Sequence, residues 1–244
     1  MSLDWLDDEL ANVAAAGLLR RRRVVRPLPH GRCEVDGRTL INFATNDYLD
    51  LASHPRVVEM AQQALAELGA GGRGSALIVG RTPWHDSLEN RLARFEGTAA
   101  AILFPSGYAA NVGTITALVG PDDAVFCDRL NHASLIDGCR LSRAKFHVYP
   151  HRDVSALDNI LSKRSATAST ATGARLPRRL IVTDSLFSMD GDIAPLRELV
   201  EVADRHEAML LIDEAHATGV FATTVRSPKW PTSRGTRESS ASER

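Results

Sequence analysis

The sequence predicts an α/β domain with a largely parallel central sheet, and three observations carry that prediction. Short apolar or β-branched runs recur at residues 99–104, 124–128, 145–149, 179–184 and 209–213. Helix-periodic stretches lie between most of them, the alternation that builds strand–helix–strand units. With 44% hydrophobic and 24% charged residues in a 244-residue chain, there is enough apolar material for a substantial core.

Taken in order, Leu3, Leu6, Leu10 and Val13 recur at helical spacing and predict an amphipathic N-terminal helix. That helix is expected to run into Arg20–Arg23, a basic run of the kind that suits a solvated helix C-terminus. CEVDGRTLINF (33–43) reads as a hairpin turning at Asp36-Gly37. Pro55 to Leu68 and Pro83 to Phe95 read as helices with proline in the first turn, where its missing N–H is no loss. Further helices are expected at Val154 to Lys163 and Leu196 to His206. Residues 162–175 are small and polar and read as a surface insertion; the Ser-, Thr-, Arg- and Pro-rich stretch after Val220 cannot bury a core.

The bulk numbers exclude several classes. A net charge of −1 favours neither nucleic acid nor a membrane surface. No apolar run reaches the roughly 20 residues of a membrane helix. The acidic start lacks the features of a secretory signal, so a cytoplasmic location is expected. Cys33, Cys127 and Cys139 show no CxxC pairing, so free thiols are expected rather than a disulfide framework or a metal site.

Parallel sheets bind ligands at the carboxyl ends of their strands, which directs attention to the residues just after each run. After 99–104 comes Pro105-Ser106-Gly107-Tyr108, a small turn at a helix start whose free N–H groups suit an anion such as phosphate. Alone, a Ser-Gly turn is more often just a tight turn. After 124–128 comes His132, which can serve structure, stack on a flat ring or move a proton near neutral pH. After 179–184 comes a turn rich in hydroxyls and aspartates, 184–192, which also admits a purely structural reading. After 209–213 come Asp213 and His216. A carboxylate ending an apolar strand is partly desolvated and suits a cation. A protonated pyridine nitrogen is such a cation, and the pairing keeps the ring an electron sink. Anion cradle, ring stacker, hydroxyl and carboxylate together suit pyridoxal 5′-phosphate (PLP).

The motifs resemble those of the α-oxoamine synthases. The matching stretches are 41–55, 69–97, 104–119, 128–138, 183–204 and 211–220, which stand in that family's order and cover nearly everything from Gly17 to Val220. The resemblance implies the fold-type-I PLP architecture, with residues 1–45 as an N-terminal helix and hairpin segment. It makes 46–220 a PLP-binding large domain, incomplete at its C-terminal side, and 221–244 a tail outside the family pattern, expected to be disordered. It implies that Gly107 and Tyr108 contact the cofactor phosphate, that His132 stacks on the ring and helps with substrate, and that Ser188 hydrogen-bonds the cofactor. Asp213 would pair with the pyridine nitrogen and His216 with the phenolic oxygen, making His132, Asp213 and His216 the catalytic group. Arg20, with Arg21 as its rival, and Asn46 would bind substrate. The family usually carries glycine where Asp50 stands.

The implied reaction is a decarboxylative condensation of L-alanine with pimeloyl-CoA or its carrier-protein thioester, a step of biotin biosynthesis, run by a homodimer. Sister enzymes use glycine or serine. The family's Schiff-base lysine comes after the Asp213 strand in a Ser/Thr-x-x-Lys context. Lysine occurs only at 145, 163 and 229, none in that setting, so the chain is expected to stop short of that lysine and its activity to suffer. A remnant that only dimerises shares every motif. The DEAH word also resembles a helicase box, but that machinery needs a Gly-Lys phosphate loop and the chain has no Gly-Lys pair.

Overall fold

A computed structural model describes residues 3–165 and 176–221. The chain divides into two compact units, Met1–Ala70 and Gly71–Arg244. The insertion-like segment 166–175 and the tail from 222 onward lie outside the described residues.

In the first unit, α1 (Trp5–Ala15) ends because Gly17 takes a left-handed φ of +69°. The Leu18 N–H then reaches back to the Val13 carbonyl at 3.0 Å, the bonding that closes a glycine-capped helix. The arginine run therefore lies beyond the helix, not at its end as expected: the cap stops the helix three residues before Arg20 can join it. The hairpin is as expected, with β2 (Arg32–Val35) and β3 (Arg38–Ile41) joined by Asp36 and Gly37, both at positive φ. Two positive φ values give the turn that matches strand twist. A third strand, β1 (Arg26–Leu28), pairs antiparallel with β2, which the sequence pattern does not reveal. α2 (Pro55–Leu68) closes the unit, its first turn capped by His54 Nδ1 accepting the Arg56 N–H at 3.3 Å. Asp50, in the family's glycine position, stands at φ +52° and accepts the His30 N–H at 3.2 Å.

The second unit opens with a π-type turn at Ala76–Gly80 and α3 (Pro83–Glu96). Thr82 caps α3 reciprocally with His85. Residues 99–104, expected as a strand, form none: they pair with no strand among the described residues, and Ile102 is 75% exposed. Apolar composition alone cannot make a strand, because the backbone groups need a partner edge.

The parallel sheet has the order β5-β4-β6-β7, from β4 (Ala124–Asp128), β5 (Lys145–Tyr149), β6 (Arg179–Asp184) and β7 (Met209–Asp213). All three pairings are parallel, as the alternation predicted. Side chains alternate across the sheet and split the core in two. Ala124, Phe126 and Ile181 face α6 (Val154–Ser165) and α7 (Leu196–Arg205), where Leu157, Leu161, Leu199 and Val202 cover them. Val125, Cys127, Leu180 and Val182 face α4 (Gly107–Leu118) and α5 (Ala133–Leu141), covered by Ile115, Leu135 and Cys139. The result is three layers, helix–sheet–helix. The helix expected at Val154 to Lys163 runs two residues further, so 164–165, read from sequence as part of an insertion, belong to α6. The three cysteines are free and buried.

Candidate active site

Three strands end on aspartate at the carboxyl edge of the sheet: Asp128, Asp184 and Asp213. Asp184 and Asp213 are register partners, so their side chains emerge on the same side of neighbouring strands. Asp213 is held at both oxygens. Oδ1 accepts the Ala215 N–H at 2.8 Å, and Oδ2 accepts Asn111 Nδ2–H at 2.7 Å.

Asn111 is the hub of a longer chain. Its amide also donates to Ser134 Oγ at 2.9 Å, and Ser134 Oγ lies 2.7 Å from His132 Nδ1. The Ser134 N–H points at the same ring nitrogen, at 3.2 Å. Ser134 thus engages the ring at Nδ1 with both its hydroxyl and its N–H and so orients the imidazole. His132 itself sits at the N-cap of α5, its own N–H donating to Asp184 Oδ2 at 2.8 Å. Asn131 ties the same turn to β6, donating to the Val182 carbonyl at 2.8 Å and accepting the Asp184 N–H at 3.1 Å. Asp184 is buried, and burial pushes its carboxyl up to about 6. The His132 N–H and the charges of His132 and His216 oppose that rise, while the charge of Asp213 adds to it.

The structure thus joins His132 and Asp213 through Ser134 and Asn111, two residues that sequence reasoning missed. A signal existed: asparagine is a poor helix-interior residue, and Asn111 stands mid-helix in an otherwise small and apolar stretch. His216 lies three residues after Asp213, half-buried, with its charge acting on Asp184. Gly107 begins α4, and a Cβ there would meet nothing within 4 Å, so the protein itself leaves open space over the first turn. Ser106 caps that helix, its Oγ accepting the Ala109 N–H at 3.1 Å. The Tyr108 hydroxyl donates to Asp137 Oδ2 at 3.0 Å, and that bond to a carboxylate holds its acidity down. Ser188 is exposed at the tip of the loop after β6. Arg20 and Asn46 belong to the first unit; Arg20 is exposed and Asn46 Oδ1 accepts the Tyr48 hydroxyl at 3.4 Å. Lys145 is exposed at the amino end of β5, the opposite edge of the sheet, and Lys163 is exposed on α6. Lys229 lies outside the described residues.

A parallel sheet with polar groups gathered at its carboxyl edge defines an α/β ligand-binding domain. The model of the aminotransferase class I and II family matches residues 38–235, and the chain belongs to that family. An 8-amino-7-oxononanoate synthase of Anaeromyxobacter sp. (strain Fw109-5) is 52% identical over 222 residues, covering 90% of this chain and 53% of the relative. The synthase of that description from Citrifermentans bemidjiense is 47% identical over 219 residues, with 90% and 54% covered. The chain spans about half the length of these curated relatives. Among solved structures, a serine palmitoyltransferase from S. paucimobilis with bound PLP–myriocin aldimine superposes with a TM-score of 0.75 at 32% identity, over 87% of this chain and 52% of that one. An 8-amino-7-oxononanoate synthase from Francisella tularensis gives 0.54 at 28% identity, over 70% and 43%. The architecture is that of the fold-type-I PLP enzymes. Among the described residues, no helix is long and apolar enough to cross a membrane.

Proposed function

We propose that this chain carries the PLP-holding part of an 8-amino-7-oxononanoate synthase, which joins L-alanine to a pimeloyl thioester (pimeloyl-CoA or its carrier-protein form) in biotin biosynthesis. The observation that supports it most is the Asp213 carboxylate, fixed at both oxygens on a strand end and joined by hydrogen bonds to His132. The identity to relatives named for that reaction supports the choice of substrates.

The residues fit the cofactor. Asp213, held at both oxygens, suits a pyridinium nitrogen, and residues 107–108 offer free N–H groups at the start of α4 to a phosphate. Since the Tyr108 hydroxyl is engaged with Asp137, the backbone rather than the phenol is left for that anion. The exposed ring of His132 offers a face for stacking and Nε2 for a hydrogen bond; His216 and Ser188 would supply the phenolic-oxygen and loop contacts. When bound, PLP supplies the electron sink for a carbanion at the amino acid α-carbon. Asp213 would keep that sink cationic, and the His132 ring, oriented by Ser134 at Nδ1, would present Nε2 for a hydrogen bond to the ligand. Arg20 and Asn46 are assigned to acyl-substrate binding, and residues 46–220 to the cofactor domain. A homodimer completes the proposal. Neither described lysine stands at this edge of the sheet, so PLP is held here without a covalent bond to Lys145 or Lys163.

Thiol release from pimeloyl-CoA, followed with a thiol reagent in the presence of PLP, tests the substrate assignment. Release that depends on L-alanine supports it. Release that depends on glycine or serine with another acyl-CoA moves the chain to a sister activity. PLP binding without release leaves a cofactor-holding domain that does not turn over by itself.

A further inference from the structure

The loop that carries Ser188 is pinned from an unexpected direction. His151 lies just after β5, at the edge of the sheet, whereas the loop leaves β6, two positions across in the strand order. The imidazole spans that gap. Its Nδ1 lies 2.9 Å from Asp128 Oδ1, at the end of β4, and its Nε2 lies 2.7 Å from Asp192 Oδ2, in the loop. The ring also stands edge-on to Phe187, with centroids 4.5 Å apart and planes at 88°. Phe187 and Asp192 flank Ser188 in sequence, so His151 touches the loop on both sides of it.

The loop is tied together internally. Phe187 N–H donates to the Asp192 carbonyl, Gly191 N–H to the Phe187 carbonyl and Ala194 N–H to the Ser185 carbonyl, each at 2.9 Å. Leu186 and Ile193 bridge antiparallel within it. On the other side, Asp128 is anchored: its side chain is 1% exposed, Oδ1 accepts the Leu130 N–H at 2.9 Å and Oδ2 accepts the Arg152 N–H at 2.8 Å. Arg152 delivers that N–H from a left-handed backbone, φ +57°, a conformation kept for a reason in a non-glycine residue. Arg152 Nη1 adds a second contact to Asp192 Oδ2 at 3.2 Å, and Asp192 Oδ1 is buried with no partner among the described residues.

A neutral imidazole has one N–H and one lone pair. With a carboxylate oxygen within 3 Å of each nitrogen, the neutral form would set a lone pair against a negative charge on one side. Only the imidazolium donates to both. We propose that His151 is a positioning residue: held as an imidazolium between Asp128 and Asp192, it fixes the loop 185–194, and with it Ser188, over the carboxyl edge of the sheet. It rests on the proposed function only for the use made of Ser188.

The charged groups facing the ring are Asp128 from β4, Asp192 from the loop and Arg152 from its own turn. Burial pulls the His151 pKa down, but the two carboxylates outweigh it and raise it above the ordinary histidine value. Burial likewise pushes Asp192 up, and His151 with Arg152 outweigh that and lower it. The bridge is therefore intact below the ordinary histidine pKa and is lost as pH rises through the elevated one. On the acid side it is present above the ordinary aspartate pKa and lost as pH falls through the depressed one.

Hydrogen exchange on the full chain, read as protection factors for Gly191 and Ala194 amides with Val182 in β6 as control, tests this without any cofactor. Loop protection is expected to fall at least tenfold as pH rises through the His151 titration, with Val182 unmoved. In His151→Gln the loop is expected to be weakly protected at every pH and the pH step absent. Side-chain nitrogen NMR of the unaltered chain needs no variant and is expected to show both His151 nitrogens protonated at pH 7. A single protonated nitrogen there, or loop protection indifferent to pH and to His151→Gln, would overturn the proposal. Because no measurement involves PLP, a failed cofactor assignment leaves these readouts standing.

Discussion

Asn111 shows what a single amide can organise. It lies 102 residues before Asp213 in sequence, yet its two N–H bonds tie the Asp213 carboxylate to the Ser134–His132 pair. Asn111→Ala leaves buried acceptors unmatched and is expected to cost about 1–3 kcal/mol in urea unfolding. PLP, if held as proposed, should bind roughly tenfold more weakly, a loss of about 1.4 kcal/mol. Asp184 gives a pH-dependent counterpart. Its folded pKa of about 6 lies above the ordinary aspartate value, so its contribution to stability is full at acid pH and lost as pH rises through about 6. Asp184→Asn removes that titration. The variant should gain on the parent by on the order of 2 kcal/mol between pH 4 and pH 7.5, measured by denaturant unfolding at each pH. A gap that stays constant with pH would show that Asp184 is not perturbed. At this scale the strand-end residues were legible, because Asp213 and His132 come after recognisable apolar runs. Asn111 offered only the weak signal of an amide inside a helix, and Ser134 and His151 offered none, because the contacts that define them, to Asn111 and to Asp128 and Asp192, form only when the sheet folds.

Elements were read best where local signals and tertiary pairing agree. α2 begins at Pro55 and ends at Leu68 as its proline and its following Gly69 indicate, and β4 and β7 match their apolar runs. Residues 99–104 show the opposite case: a strand-like composition with no pairing edge among the described residues. The end of α1 shows a third, where a basic run suggested a helix terminus but a glycine cap decided it earlier. Gly17→Ala forces a Cβ into a left-handed cap and should destabilise the first unit by about 1 kcal/mol, seen as a lower helical content on heating. In the second unit, Leu161 is fully buried on α6 against the sheet. Leu161→Ala should cost about 2–5 kcal/mol by leaving a cavity, measured in urea, while an effect under about 0.5 kcal/mol would contradict the packing.

On the scale of the whole molecule, three layers place four strand ends along one edge, and the groups suited to PLP collect there rather than at the amino edge, where Lys145 stands. The α/β class came from alternation alone. The cofactor assignment needed the joint spacing of several motifs, because each strand-end word by itself also reads as an ordinary turn. In the proposed function this edge holds PLP through Asp213 without a Schiff base to a described lysine. An absorbance and fluorescence titration of the purified chain with PLP, repeated for Asp213→Asn and completed by borohydride reduction and peptide mapping, bears on both halves of that statement. Saturable binding is expected, weakened about tenfold or more by Asp213→Asn, with no reduced PLP on Lys145 or Lys163. Binding indifferent to Asp213→Asn, or a pyridoxyl group fixed on either of those lysines, would contradict it.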